Sequence, residues 1–217
     1  MRVLQTATLL GATLGVGLMA GLFAAFAYAV MPGLRRSADR TFVEAVQNIN
    51  RAIVNGWFLL PFLLPIPLLV LATVLAWNGT GRMALPWILA ALVLYSAGFF
   101  VTGGVNVPLN NALDNALDNA PDNALDSAPD NVLDKAPRDD GPAALGDAGG
   151  SRGSRGSRGF GGPAGMADRP GVLKAARDNF EGRWVTWNIV RALAHTAAFG
   201  MLAWALFLHG VAGAGAG

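Results

Sequence analysis

Trp184, Asn188, Arg191 and His195 follow one another at intervals of four, three and four residues, so on a helix they share one face along three turns. An indole, a carboxamide, a guanidinium and an imidazole are the groups that stack on rings, hydrogen-bond to oxygen, hold negative charge and move protons. His195 lies about one turn deeper than Arg191 in an apolar stretch. A polar side chain is costly there unless it faces the interior of a bundle or a cavity. The plainer reading has Arg191 snorkelling to the interface, His195 making a structural hydrogen bond, and Trp184 and Trp187 anchoring at the headgroups. It leaves the alignment of the tryptophans with Asn188 and Arg191 unaccounted for.

Four long apolar stretches, at about 3–31, 57–77, 83–105 and 188–210, must position these groups. Each holds roughly the 20 apolar residues that a bilayer core demands, where a soluble domain would interrupt the run with a charged face. The composition agrees, with 53% hydrophobic and 14% charged residues. Trp57 and Trp77 bracket the second stretch and stand about 30 Å apart along a helix, the spacing of an interfacial aromatic pair. Pro61, Pro65 and Pro67 in its first half remove backbone donors and predict a kink, or a helix that starts deeper than Trp57. Gly11 with Gly15 and Gly17 with Gly21 permit close helix contact. A cleavable leader ending near Ala27-Tyr28-Ala29 is the competing reading of the first stretch, but its uncharged run far exceeds the core of a signal peptide.

The expected fold class is all-α: an integral membrane four-helix bundle, with a short amphipathic helix over 39–53 in the first loop and a disordered insert between helices three and four. Phe42, Val43, Val46, Ile49 and Ile53 form the apolar face of that short helix, which is expected to lie in the membrane surface. The bundle's first three helices fall within 1–110, the insert covers 111–170, and 171–217 carries an interfacial segment and the fourth helix. Arg35, Arg36, Arg40 and Arg51 in the first loop, and Lys174, Arg177 and Arg183 before the fourth helix, outnumber the lone Arg82 of the second loop. That bias puts loops one and three in the cytoplasm of a multi-pass cell-membrane protein and both termini outside, with Arg2 as a weak counter-argument.

Antiparallel packing brings Asn106 and Asn110, at the end of helix three, to the membrane face where helix four starts at Trp184, Trp187, Asn188 and Arg191. Tyr28 and the first loop, with Asn50 or Arg51 turned inward, arrive at the same face. Four segments can therefore build one pocket mouth.

The insert reads NALD, NALD, NAPD, NALD, SAPD, NVLD from Asn111, placing an aspartate at every fourth position from Asp114 to Asp134. Like charges repel at that spacing, and Pro121, Pro129 and Pro137 interrupt any helix, so disorder or short fraying turns are expected. Three SRG units from Ser151 read as a flexible linker. The aspartates lack the spacing of a calcium loop, and the Arg-Gly units have no aromatic partners for RNA.

The chain has no cysteine and two histidines, which excludes thiol catalysis, disulfides and Cys-ligated metal centres. Neither HExxH nor a paired Glu-x-x-His motif is present, and no glycine-rich nucleotide loop with its Lys occurs, so no metal and no cofactor is expected. A net charge of +2 is too small to imply a nucleic-acid partner. The expected partner is the lipid bilayer, with a homo-oligomer as a further expectation.

The segments GLMAGLFAAFAYAVMPGL from Gly17, AVQNINRAIVNGWF from Ala45, VTGGVNVPLNNAL from Val101 and WVTWNIVRAL from Trp184 together resemble a family of bacterial membrane proteins, formerly of unknown function and related to the fungal anthrone oxygenases. Pro32, Gln47, Asn50, the NxPLN element (Asn106, Pro108, Asn110) and the helix-four element (Trp187, Asn188, Arg191) carry the likeness. The resemblance implies a four-helix membrane bundle and oxygenation of a hydrophobic aromatic small molecule by O₂ without metal or flavin. The chain departs from the family pattern by expanding the region just after NxPLN, which puts substrate access in question.

An anthrone has an acidic benzylic CH₂ whose deprotonation gives an aromatic enolate able to reduce O₂ directly. The protein then needs a base, oxyanion stabilisation and a dry aromatic cavity. His195 would accept the proton; Asn188, Arg191 and Asn106 would hold the oxygen; Trp184 or Trp187 would stack on the rings, with Tyr28, Asn50 and Asn110 at the binding site. The competing reading is a noncatalytic structural or interaction subunit, with a transporter third. A cavity lined by Trp187, Asn188, Arg191 and His195 favours an enzyme, and void-free glycine packing favours a structural role.

Overall fold

Uninterrupted apolar sequence forms helix wherever it is long enough, and proline decides where those helices bend. In the computed structural model, which describes residues 2–77, 82–118 and 170–214, α1 (Arg2–Ala25) runs through a π-helical turn (Phe26–Val30) into α2 (Met31–Arg35). After a turn come α3 (Asp39–Ile53), α4 (Gly56–Leu63), α5 (Pro65–Trp77) and α6 (Leu85–Val101). A second π turn (Thr102–Asn106) joins α6 to α7 (Val107–Asp118), and α8 spans Pro170–Ala214. Each π turn ends two residues before a proline, Pro32 or Pro108. A proline ring has no N–H to give the preceding turn and crowds its carbonyl, and a widened turn relieves both.

Among the described residues four helical stretches are long and apolar enough to cross a membrane: Arg2–Arg35, Gly56–Trp77, Leu85–Ala116 and Gly171–Ala212. Around the bundle α1 packs on α8, α8 on α6, α6 on α5, and α5 back on α1. The core between them holds Leu9, Val16, Phe23, Leu69, Ile88 and Leu202. An added Cβ on Gly15 would stand 2.8 Å from the Pro65 ring, and one on Gly17 2.9 Å from Phe199. These glycines therefore set how closely α1 meets its neighbours.

The expected kink lies between α4 and α5. Asn55 caps α4, its side-chain oxygen accepting from the Phe58 N–H at 3.1 Å, and Pro61 sits inside the helix. Pro65 has no N–H to give the Pro61 carbonyl. The Tyr95 hydroxyl on α6 donates to the Phe62 carbonyl at 2.8 Å and lies 3.4 Å from that of Pro61. A buried tyrosine thus hydrogen-bonds where the proline opened the ladder.

Two boundaries differ from those read in the sequence. Helix three does not end at 105 but continues as α7 through the first two NALD units, because Leu109 and Leu113, four apart, bury in a second core and Gln47 Nε2 donates to Asp114 at 2.9 Å. The disorder expected from 111 does not extend to 111–116, which are helical, and 119–169 lies outside the described residues. The fourth helix starts at Pro170 rather than near 188. Leu173, Ala176, Phe180 and Trp184 make its early turns amphipathic, and they pack with Phe42, Val43 and Val46 of α3. At about 1.5 Å per residue the 45 residues of α8 run to roughly 68 Å, more than twice a hydrocarbon core. Its first half therefore forms the scaffold of a domain at one end of the bundle.

Arg177 fixes that scaffold to the first loop. Its guanidinium pairs with Asp39 and Glu181 at 2.9 Å each, donates to the Ser37 and Arg35 carbonyls at 3.0 and 2.7 Å, and lies 4.5 Å from the Phe42 ring centroid.

Candidate functional site

A single buried stripe runs the length of α8: Leu173, Phe180, Trp184, then Asn188, Arg191 and His195, then Ala198, Leu202 and Ala205. Three consecutive polar members occupy its middle, and Arg177 and His209 are buried on the same face nearer its ends. Thr102 and Asn106, on the second π turn, are buried with it.

Arg191 is the centre of this arrangement and is 6% exposed. Nε donates to Asn188 Oδ1 at 3.0 Å, and Nη1 lies 3.4 Å from Thr102 Oγ1. The guanidinium carbon sits 4.1 Å from the Phe23 ring centroid and 5.2 Å from that of Trp184. Among the described residues no carboxylate pairs with it. A buried cation satisfied only by a carboxamide, a hydroxyl and two π faces retains most of its need for an anion.

A cavity of about 120 Å³ opens beside it, lined by Phe23, Phe26, Ile49, Asn50, Ile53, Val54, Phe58, Thr102, Asn106, Val107, Asn110, Trp184 and Arg191. Both π turns contribute to its wall, through Phe26 and through Thr102 and Asn106. The volume is below the roughly 300–1,000 Å³ of drug-sized pockets, so a tricyclic ring enters only if a wall moves. The C-terminal turn of α3 and the start of α4, carrying Ile53, Val54 and Phe58, is the part of that wall at a chain bend.

Of the residues singled out in the sequence, Asn50, Asn106, Asn110, Trp184 and Arg191 line this cavity together. Trp184 is oriented by its indole N–H, which donates to Asn110 Oδ1 at 2.9 Å. Asn106 directs its amide nitrogen to the Trp184 carbonyl, 3.5 Å away, and leaves Oδ1 without a partner. Its free atom is an acceptor and does not suit an oxyanion. Asn188 stands behind Arg191, fully enclosed, its Nδ2 donating to the Phe23 carbonyl at 3.2 Å. It is a positioning residue for the guanidinium.

His195 is fully buried and lies outside the cavity lining. Phe23, which lines the cavity, meets the imidazole edge to face at 5.0 Å, and Tyr95 closes on it at 4.6 Å. Its Nδ1 is 2.7 Å from the Arg191 carbonyl oxygen. A carbonyl only accepts, so Nδ1 carries the proton and the neutral ring keeps its lone pair on Nε2, which has no partner. A Cβ on Gly98 would fall 2.2 Å from the imidazole. The missing side chain at Gly98 is what makes room for His195.

Tyr28 and Trp187 do not join the site. They are 74% and 39% exposed and do not line the cavity. Trp187 follows Trp184 by three residues, and only Trp184 continues the buried stripe. Phe23, Phe26, Phe58, Thr102, Tyr95 and Gly98 were not read from the sequence. Five of them are apolar or small residues inside apolar helices and carry no local signal; Tyr95, the one hydroxyl-bearing aromatic in helix three, did. Among the described residues no cluster of three His, Asp or Glu side chains gathers in metal-binding range.

The family model described as anthrone oxygenase matches residues 55–201, well over half of the chain. No curated protein and no solved structure matches it.

Proposed function

Because the chain belongs to the anthrone oxygenase family, we propose that it is a membrane-embedded, cofactor-independent oxygenase that converts an anthrone-type hydrophobic aromatic to its quinone with O₂. The observation that carries this reading is Arg191: a buried guanidinium without an acidic partner among the described residues, beside an aromatic-walled cavity. The anion it lacks is the one the chemistry creates.

Loss of a benzylic proton turns the ring ketone into an enolate, and Arg191 holds the developing oxyanion in a water-poor site where such contacts count most. Asn188 keeps the guanidinium in place. Trp184 and Phe23 supply ring surfaces for the substrate. The enolate carbon gives an electron pair to O₂, a proton completes the hydroperoxide, and loss of water leaves the quinone. One anthrone and one O₂ give one anthraquinone and one water.

The proton acceptor is His195 Nε2, a neutral lone pair in an apolar surround. The imidazole lies one residue layer from the cavity, and Phe23 touches both, so proton transfer requires the Phe23 ring to turn aside. The end of the bundle bearing the cavity faces the cytoplasm, where Arg36, Arg51 and Arg183 keep the arginine bias after Arg35, Arg40 and Arg177 are paired.

The test is O₂ uptake with quinone formation by the purified protein given a simple anthrone. Arg191→Met and His195→Ala are each expected to fall to the spontaneous rate while remaining folded. Uptake unchanged in Arg191→Met would remove the basis of the reading.

A further inference from the structure

Asn50 on α3 and Asn106 on the second π turn line the same cavity. Each leaves one buried polar atom without a protein partner, and the two are complementary: Asn50 Nδ2 is a donor and Asn106 Oδ1 an acceptor. The Trp184 carbonyl, itself only an acceptor, fixes which way the Asn106 amide points. Leaving a buried donor and a buried acceptor unpaired is costly, so paired orphans at one cavity describe the ligand that would satisfy them.

We infer that Asn50 and Asn106 are a specificity pair: Asn50 donates to an oxygen on the ring system, and Asn106 accepts a hydrogen bond from a separate ring hydroxyl. The inference rests on the oxygenase reading for the aromatic nature of the ligand, and it adds a requirement which that reading lacks. Arg191 needs only an anion, and the aromatic walls need only a ring. Asn106 Oδ1 rejects a ring that presents no free O–H, because the acceptor then stays buried and unsatisfied. Sites built around such a group discriminate by leaving it unpaired with the wrong ligand.

Quinones separate recognition from turnover, since their reacting carbon is already oxidised. The full-length protein in lipid nanodiscs would be titrated with anthraquinone, 2-hydroxyanthraquinone and 1-hydroxyanthraquinone, at a pH where the phenols stay protonated. Tryptophan quenching would be the readout, with protein-free nanodiscs as the partitioning control. The 2-hydroxy compound is expected to bind about tenfold tighter than anthraquinone, the worth of one good hydrogen bond. The 1-hydroxy compound, whose hydrogen is tied to its own quinone oxygen, gains little. Asn106→Leu erases the preference for the 2-hydroxy compound, and Asn50→Leu weakens all three together.

The wild-type comparison decides without any variant. Equal affinity for the three quinones overturns the inference and leaves the oxygenase reading standing. A preference that survives Asn106→Leu overturns the assignment to Asn106. No saturable binding of any quinone overturns both.

Discussion

At the scale of single residues the site depends on one charge and on the space left for one ring. Arg191 binds by a planar fork between two aromatic faces, which a lysine does not reproduce, so Arg191→Lys is expected to lose at least about 100-fold in kcat/KM although it keeps the charge. Steady-state O₂ uptake measures this. Gly98 makes a different prediction. Its Cβ would overlap the His195 imidazole at 2.2 Å, so Gly98→Ala must displace His195, costing ~1–3 kcal/mol as overpacking does and removing turnover, which thermal unfolding in detergent and product assay read separately. The polar members of the site were legible because Trp184, Asn188, Arg191 and His195 repeat at helical spacing. Their roles were less so. Nothing in the spacing tells that Asn188 is consumed by Arg191 and the Phe23 carbonyl, or that Asn106 turns an acceptor rather than a donor free.

At the scale of elements, proline positions organise the architecture. The two π turns sit just before Pro32 and Pro108 and bring Phe26, Thr102 and Asn106 to one cavity. The kink between α4 and α5 is closed by Tyr95. Tyr95→Phe leaves a buried carbonyl unpaired and is expected to cost about 1–3 kcal/mol, seen as a lower midpoint of unfolding, and because Tyr95 also packs on His195 turnover should fall with it. The apolar runs and the period of 39–53 made the helices readable. The continuation of helix three into the repeat was not, because aspartates four apart repel along a helix, and only the burial of Leu109 and Leu113 on a shared face outweighs that. The early start of α8 was hidden by its charges. Arg177 and Glu181 look like a solvated loop until they are found paired with each other and with the first loop.

Among the described residues, α3, α7 and the first half of α8 pack together at one end of the membrane bundle, beside a small cavity. The chain has no cysteine, so single cysteines report sidedness cleanly. Cysteine at Arg36 or Arg183 is expected to be blocked by a permeant reagent but not by an impermeant one in intact cells, with cysteine at Arg82 labelled by both; the reverse pattern would invert the orientation. Whether this architecture performs oxygenation is decided by O₂ consumption with product detection on the detergent-purified protein and a simple anthrone, set beside Arg191→Met and His195→Ala. The expected result is one quinone per O₂ at a rate well above the spontaneous reaction, lost in both variants. Uptake no faster than the protein-free control, with the wild-type protein folded, would contradict it and leave a noncatalytic membrane subunit as the better description.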